Sequence, residues 1–510
     1  MENGRKEFLG TLCNIYMILL LVLLPLYTGG GYYKLGDSKY LLFRNVSLFC
    51  QGIWLSVTIA FMIGNLAVKE KQTKRTEQIG YAQRDRRMRS RKWSSVDLAV
   101  LSYGISAFLS AVASPYQQTA WTGYRDWYMG ALTQILLVGI YFLVSREYTR
   151  TAYPVRAGEL GLLLVVLIAF LQRFGVDILQ LQSSFSSADW EYSHMLSTIG
   201  NINWLCGYLC VLLPWPVVGF FYSCKRGRQI VYYIASVLAL TLMLTQGSDT
   251  GILLVLVCLG LGALYGSRRP EVFGKSVLLA LGICVLCPML GFLMKHLGTW
   301  DMLAVDGFLT ASMTEWFWWL LAVLLWVVFL LQRRLPHKWV MRLNRSLLIG
   351  AGVFAVGFVA TYLSGLPRGE AWGSGRGGLW KAAWRGFLDA DLLRKLIGFG
   401  PDCFAEYIYG TPVLAEWIQM EGHWEHSVFA NAHNEWLNML INGGVLGVVS
   451  YAGVFACGLR RYRGMFLGVM VLVLYLVNSL FSFQQVMSTP FLFLVLGICE
   501  SRYRAAVQSG

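Results

Sequence analysis

The chain has 510 residues, of which 56% are hydrophobic and only 14% charged. Soluble domains carry about 25% charged residues, so this chain lacks the polar surface to face water on all sides, which excludes a string of soluble domains. The formal net charge of +15 suggests nucleic acid, but the basic residues are distributed as membrane-topology signals, and no nucleic-acid partner is needed.

A bilayer core of about 30 Å is spanned by roughly 20 apolar helical residues, and about fourteen stretches approach that pattern. In chain order they begin with Leu12–Thr28, Leu41–Val68, Val96–Ala113, Trp127–Ser145, Ala157–Leu171, Trp204–Tyr222 and Ile230–Thr245. They continue with Gly251–Gly266, Ser276–Leu293, Trp316–Leu331, Leu347–Leu363, Trp436–Gly458, Met465–Phe481 and Met487–Cys499. Arg5 and Lys6 precede the first stretch, yet no small-residue cleavage site follows Pro25 and Leu26, so it reads as a membrane helix and not a signal peptide. The predicted fold class is all-α, a polytopic transmembrane helix bundle. Most of the eleven cysteines lie in apolar runs or at their ends, which fits buried small hydrophobes better than a disulfide framework. Cys284 and Cys287 have C-x-x-C spacing, but inside an apolar run just before Pro288.

Lysine and arginine resist translocation, so links rich in them stay cytoplasmic. The long link 69–95 carries ten of them, from Lys69 to Lys92. Every second link repeats the signal, at Arg146/Arg150/Arg156, Lys225/Arg226/Arg228, Arg268/Arg269/Lys275, Arg333/Arg334/Lys338, Arg460/Arg461/Arg463 and the tail Arg502/Arg504. Both termini are therefore expected in the cytoplasm. The same charges meet anionic membrane lipids.

One external link is unusual: it runs over 364–435, roughly seventy residues, and loops this long inside a compact fold are usually functional. The expected organisation is a bundle over 1–363, an extracytoplasmic catalytic loop over 364–435, and closing helices with a short cytoplasmic tail over 436–510. The loop ends in Asn431-Ala-His433-Asn434-Glu435-Trp436-Leu437-Asn438. Asn431 is a candidate N-cap, which puts His433 in the first helical turn. There the positive end of the helix dipole disfavours the imidazolium, leaving a neutral ring that accepts a proton. The alternative is that His433 only caps a helix. Asn434, Asn438 and Asn442 form a stripe that belongs inside the bundle, since lipid offers it no partners. Upstream, Gly373-Ser-Gly-Arg376-Gly-Gly-Leu-Trp380-Lys381-Ala-Ala-Trp384-Arg385 has the spacing of an interfacial helix. Gly377 and Gly378 leave amides uncovered beside Arg376, an arrangement suited to phosphate. Lipid head groups are the alternative partner for these cations.

Weaker features include His423, Glu425 and His426, which with His433 match no zinc spacing, and Asp389-Ala-Asp391, a short Asp-x-Asp. Thr245-Gln-Gly-Ser-Asp249-Thr is either a tight outer turn or a site element, and Arg125 and Arg173 are lone external arginines.

As an ordered set, these residues resemble the O-antigen ligase and polymerase superfamily of membrane glycosyltransferases. The matching segments are Trp121-Thr-Gly-Tyr-Arg125 with Gly130, Ile199-Gly200-Asn201-Ile-Asn203, Ser374-Gly-Arg376 with Trp380 and then Gly398-Phe-Gly400-Pro, and Ala432-His433-Asn434 with Gly443, Gly444 and Gly447. The resemblance covers most of the chain from about Val96 onward. It implies a GT-C-like bundle in the bacterial cytoplasmic (inner) membrane with its active site on the extracytoplasmic side. It also implies transfer of a glycan from an undecaprenyl-diphosphate carrier to a hydroxyl of a glycan or lipid acceptor, without cofactor, divalent metal or nucleotide sugar. By position, His433 would take the acceptor proton, a role worth about 10² to 10⁴ in rate. Arg376 would hold the diphosphate leaving group. Lys381, Arg385 and Arg125 would assist, with Asn434, Asn201 and Asn203 also in the substrate-binding set. The chain departs from the pattern at one turn: ligases often carry Ser-Arg-Gly where it has Gly247-Ser248-Asp249, which leaves Arg125 or Arg173 to compensate.

The reading is thus a metal-independent ligase or polymerase in surface polysaccharide assembly. The rival class is a lipid-linked glycan transporter or flippase without chemistry, which would place ionisable residues mid-membrane and show paired repeats. A lipid-binding scaffold is a third class.

Overall fold

A computed structural model of the chain describes residues 2–73, 93–303, 312–365, 376–420 and 428–509. Among the described residues the only strands are a minimal antiparallel pair, Met195–Leu196 with Gly200–Asn201, and most of the others are helical. Among the described residues ten helices are long and apolar enough to cross a membrane. They are Asn3–Leu26, Tyr32–Asn65, Ser95–Val112, Tyr153–Arg173, Ile202–Tyr222, Arg226–Thr245, Asp249–Gly266, Pro270–Leu297, Phe317–Arg334 and Glu435–Arg461. The other predicted stretches fall on helices outside that set, Ala131–Glu147, His337–Gly365, Phe466–Ser479 and Thr489–Ser509. Ala131–Glu147 and Phe466–Ser479 have 17 and 14 residues, short of the roughly 20 that a straight crossing takes. Thr489–Ser509 carries Glu500, Arg502 and Arg504 in its second half.

Burial follows sequence pattern. The stretch Ile202–Leu212 is apolar all round and almost completely buried, as expected of a helix at a bundle centre. Tyr32–Asn65 and Phe317–Arg334 instead expose large apolar residues such as Phe49, Ile63, Val323 and Leu324, which suits lipid contact. Within the first span, Leu19–Leu23 is a π-helical turn ahead of Pro25. The carbonyls at the end of that span are met by the fully buried Lys39, whose Nζ donates to Leu24 O at 2.8 Å and Pro25 O at 2.9 Å. All eleven cysteines are free; Cys284 and Cys287 are buried in Pro270–Leu297.

Two helix pairs frame the site. Glu435–Arg461 packs along Ser95–Val112, and Thr489–Ser509 along Ala131–Glu147. At one end the pairs are tied by ions. Asp97, in a capping box with Ser94, accepts from Arg504, from Tyr141 OH at 2.8 Å and from Arg146 at 3.2 Å. Glu500 is held by Arg461 at 2.6 and 2.8 Å and by Arg504 at 2.8 Å. Both carboxylates are fully buried, and such charges persist only when paired and hydrogen-bonded.

The other end is a backbone seam. Phe399 N and Gly400 N donate to Ile441 O and Asn442 O, each at 3.0 Å. Glu435–Arg461 is kinked there at Gly444, with φ +62°. A Cβ on Gly398 (φ +75°) would overlap the Asn442 main chain, and one on Gly444 would lie 2.6 Å from Leu396 C. Only glycine allows two main chains this close at positive φ. Between the long span Phe317–Arg334 and Glu435–Arg461, the region predicted as a long loop contains the short helices Arg376–Asp389, Leu392–Ile397, Phe404–Gly410 and Pro412–Met420.

Candidate functional site

The helix that carries the histidine segment starts later than its sequence suggests. Asn434, and not Asn431, is the N-cap: its Oδ1 accepts from Trp436 N and Leu437 N, each at 3.0 Å. Asn431 Oδ1 instead accepts from His433 N at 3.1 Å, an Asx-type turn of the kind that competes with helix. His433 therefore lies outside the helix, in the left-handed region at φ +47°. A non-glycine residue there is strained, and such strain concentrates at functional sites. Its ring is edge-packed against Phe483 (5.2 Å between centroids) and Phe429 (5.8 Å). Burial first, and the Arg376 guanidinium second, push its pKa down to about 3. The expected neutral imidazole thus has a different cause from the helix dipole: desolvation plus a neighbouring cation.

Arg376 is the first described residue of the helix Arg376–Asp389, followed by Gly377 and Gly378. One turn on, Trp380 Nε1 donates to Ala432 O at 3.0 Å. That bond clamps the arginine helix against the residue preceding His433. Burial lowers the Arg376 pKa and Asp249 opposes the shift, which places the Asp249 carboxylate within electrostatic reach of the same guanidinium.

Asp249 belongs to the turn where the sequence departs from the ligase pattern. Gly247 is at φ +92°, and Ser248 Oγ donates to Asn203 Oδ1 at 2.6 Å. Asn201 caps its helix by accepting from Asn203 N at 2.8 Å. The next residue, Trp204, begins a chain of edge-to-face rings: Trp204 with Trp127 at 5.4 Å, and Trp127 with Phe483 at 4.7 Å. Phe483 in turn touches His433. Segments about 230 residues apart thus meet at one place.

The remaining candidates are placed differently. Asn434 spends its side chain on the cap and on Leu480 O, to which Nδ2 donates at 3.0 Å. Arg125 is exposed next to Asp126. Lys381 is exposed, and Arg385 pairs at the surface with Asp389 at 2.7 Å. Asp391 caps the next helix by accepting from Arg394 N at 2.9 Å, so both carboxylates of the Asp-x-Asp already serve local structure. Arg173 is buried and donates to Ser193 O at 3.4 Å. Ser374, His423, Glu425 and His426 lie outside the described residues. Among the described residues no group of three or more His, Cys, Asp or Glu comes together.

Several residues at this place were not singled out from sequence. Asp402, at φ +64°, gathers the first motif by accepting from Tyr124 N at 2.7 Å and Met129 N at 2.9 Å. Burial raises its pKa to about 6 against the pull of those two N–H groups. Its signal was the Gly400-Pro401-Asp402 turn after a Gly-x-Gly. Tyr103, Gln134, Gln484 and Glu435 line a cavity beside the histidine segment; polar residues inside or bordering predicted spans were the available clue. Chemically, the place combines a neutral proton acceptor, a nearby buried cation and a polar cavity. No model of a known protein family matches the chain, and no curated protein does.

Proposed function

We propose that this protein is a membrane glycosyltransferase of the O-antigen ligase or polymerase type. It moves a glycan from undecaprenyl diphosphate to an acceptor hydroxyl on the extracytoplasmic side of the bacterial cytoplasmic membrane. The observation that carries this reading is the clamp of Trp380 on Ala432 O, which sets Arg376 beside a histidine kept uncharged by burial and by that same cation. His433 accepts the proton of the attacking hydroxyl while the glycosidic bond to the carrier phosphate breaks. Arg376 offsets the charge that grows on the departing diphosphate. Asp249 lies near Arg376 and orients it, taking the place of a second arginine at that turn. The alternating basic links support cytoplasmic termini and an outward-facing site.

The test is purified full-length protein in lipid nanodiscs with lipid-linked oligosaccharide and an acceptor glycan. A new glycosidic bond, lost in His433→Ala and Arg376→Ala, is the expected result. Movement of labelled lipid-linked glycan across a sealed vesicle with no new bond would replace the enzyme with a flippase.

A further inference from the structure

The short helix Leu392–Ile397 carries an unusual surface for a stretch that the sequence marks as an extracytoplasmic loop. Leu392, Leu393 and Leu396 share one face, at i, i+1 and i+4, and are 74%, 54% and 44% exposed. On the preceding helix, Trp384 and Leu388 stand one turn apart and are half-exposed too. Large apolar side chains gathered at a surface mark contact with a partner or a membrane.

The neighbouring elements set the level of this helix. Ser95–Val112 has 18 residues and is about 27 Å long, so crossing a hydrocarbon core of roughly 30 Å uses all of it, Val112 included. Arg394 Nη1 donates to the O atom of Ala113, the residue just after that span, at 2.7 Å. About one turn earlier, Ser110 Oγ donates to Asn442 O at 2.7 Å. Leu396 and Gly398 in turn lie against Gly444 and Asn442, which are well inside the span Glu435–Arg461. The leucine helix is thus pinned beside the last turn of one span and the interior of another, at the edge of the hydrocarbon and not above it. Next to these contacts both spans expose apolar residues, Leu109 and Val112 on one and Val445 and Leu446 on the other. The Arg394 charge is turned inward: besides Ala113 O, its guanidinium lies 5.8 Å from the Phe399 ring centroid.

We infer that Leu392–Ile397 is a membrane-dipping helix whose leucines, with Trp384 and Leu388, sit among the acyl chains of the bilayer leaflet at this end of the bundle. The partner is phospholipid, and continuity with the exposed apolar sides of two spans selects it over a soluble protein. Arg385, exposed next to Trp384, is long enough to reach head-group phosphates from there. Part of the stretch 364–435 then belongs to the membrane, and the seam at Gly398 is moored in lipid. This goes beyond the transferase reading and does not depend on it.

A nitroxide carried on a keto amino acid, replacing Leu392, Leu393 or Leu396 in turn, tests the inference in the full chain without touching the native cysteines. The protein is placed in nanodiscs of phosphatidylethanolamine and phosphatidylglycerol. Collisions of the label with oxygen, which concentrates in hydrocarbon, are compared with collisions with a water-soluble nickel chelate. At all three positions oxygen should dominate several-fold, as at the exposed Val449 within a span. Ser187, exposed in the link between two spans, should show the reverse. Because the three leucines are exposed, the labelled proteins should melt at the temperature of the unaltered one. Chelate access at the leucines equal to that at Ser187 would put the helix in water and overturn the inference. Shielding from both reagents, with spin–spin broadening between labelled copies, would give the face to a second copy of the chain and overturn it as well. Either result leaves glycan transfer to be judged by its own assay.

Discussion

Two polar clusters sit at opposite ends of the same helices and follow opposite rules. Around Asp97 and Glu500, buried carboxylates meet arginines, tyrosines and a main-chain N–H. Around His433, buried acceptors go unpaired, and His433, Asp402, Asp126 and Tyr128 all hold left-handed backbone. The kinked 27-residue helix Glu435–Arg461 runs from one to the other. A saturated cluster locks helices together; a strained and unsaturated one has something left to bind. Substitutions at the first end should therefore damage stability, and those at the second should damage activity.

The largest effect should come from His433→Ala, with transfer falling by about 10² to 10⁴ while the thermal melt stays close to that of the unaltered protein. A collapse of the melt would erase the contrast. Next, Asp97→Ala strands Arg146 and leaves Arg504 with Glu500 alone. Removing one partner of a buried pair costs about 3–5 kcal/mol; the arginine side chains are 25% and 17% exposed, so the lower figure is expected. Denaturant unfolding in mild detergent measures it, and any surviving folded protein should transfer normally. Gly398→Ala tests the seam that holds the site end, where Cβ would meet the Asn442 main chain at positive φ. A loss of about 1–3 kcal/mol is expected, together with lower activity, since Asn442 lies on the helix that the histidine segment leads into.

The pH dependence should be quieter. With the His433 pKa held near about 3, against about 6.5 for a free imidazole, the neutral base persists across neutral and mildly acid pH, and the rate should show no histidine limb near 6.5. For stability, the unfolded chain takes up a proton below about 6.5 that the folded chain refuses until about 3, so His433 lowers stability as pH falls through that window. Asp402 acts in the opposite sense: folded, it binds its proton near about 6 and unfolded only near 3.8, so stability gains as pH falls between those values. Arg376→Ala should move the His433 titration, followed by NMR, upward but short of 6.5, because burial is the larger cause. Smallest of all, Arg385→Ala breaks an exposed pair with Asp389, and unfolding should shift by no more than about 0.5 kcal/mol.

The bundle was legible because apolar runs and basic links are local signals that water and lipid sort directly. Arg376, Trp380 and His433 were legible as residue types at familiar spacing. The cap was misread by three residues, since Asn431 and Asn434 are both good caps and only the packing of Trp380 against Ala432 and of Asn434 on Leu480 selects between them. Asp402 escaped notice because its partners, Tyr124 and Met129, are distant in sequence. Lys39 and Glu435 were passed over for the same reason: a buried charge is recognised by what surrounds it.

By itself the amino-acid order determined that this protein is predominantly helical and carries apolar helices long enough to cross a membrane. Hydropathy acts residue by residue, and no partner is needed to express it. Only the tertiary structure decided which polar atoms are satisfied. It saturated Asp97 and Glu500, brought Arg376 within electrostatic reach of His433, and left Glu435 Oε2 and Asn442 Oδ1 buried without donors. Hydrogen bonds and charge neighbours are relations between distant segments, and they come into being when those segments pack.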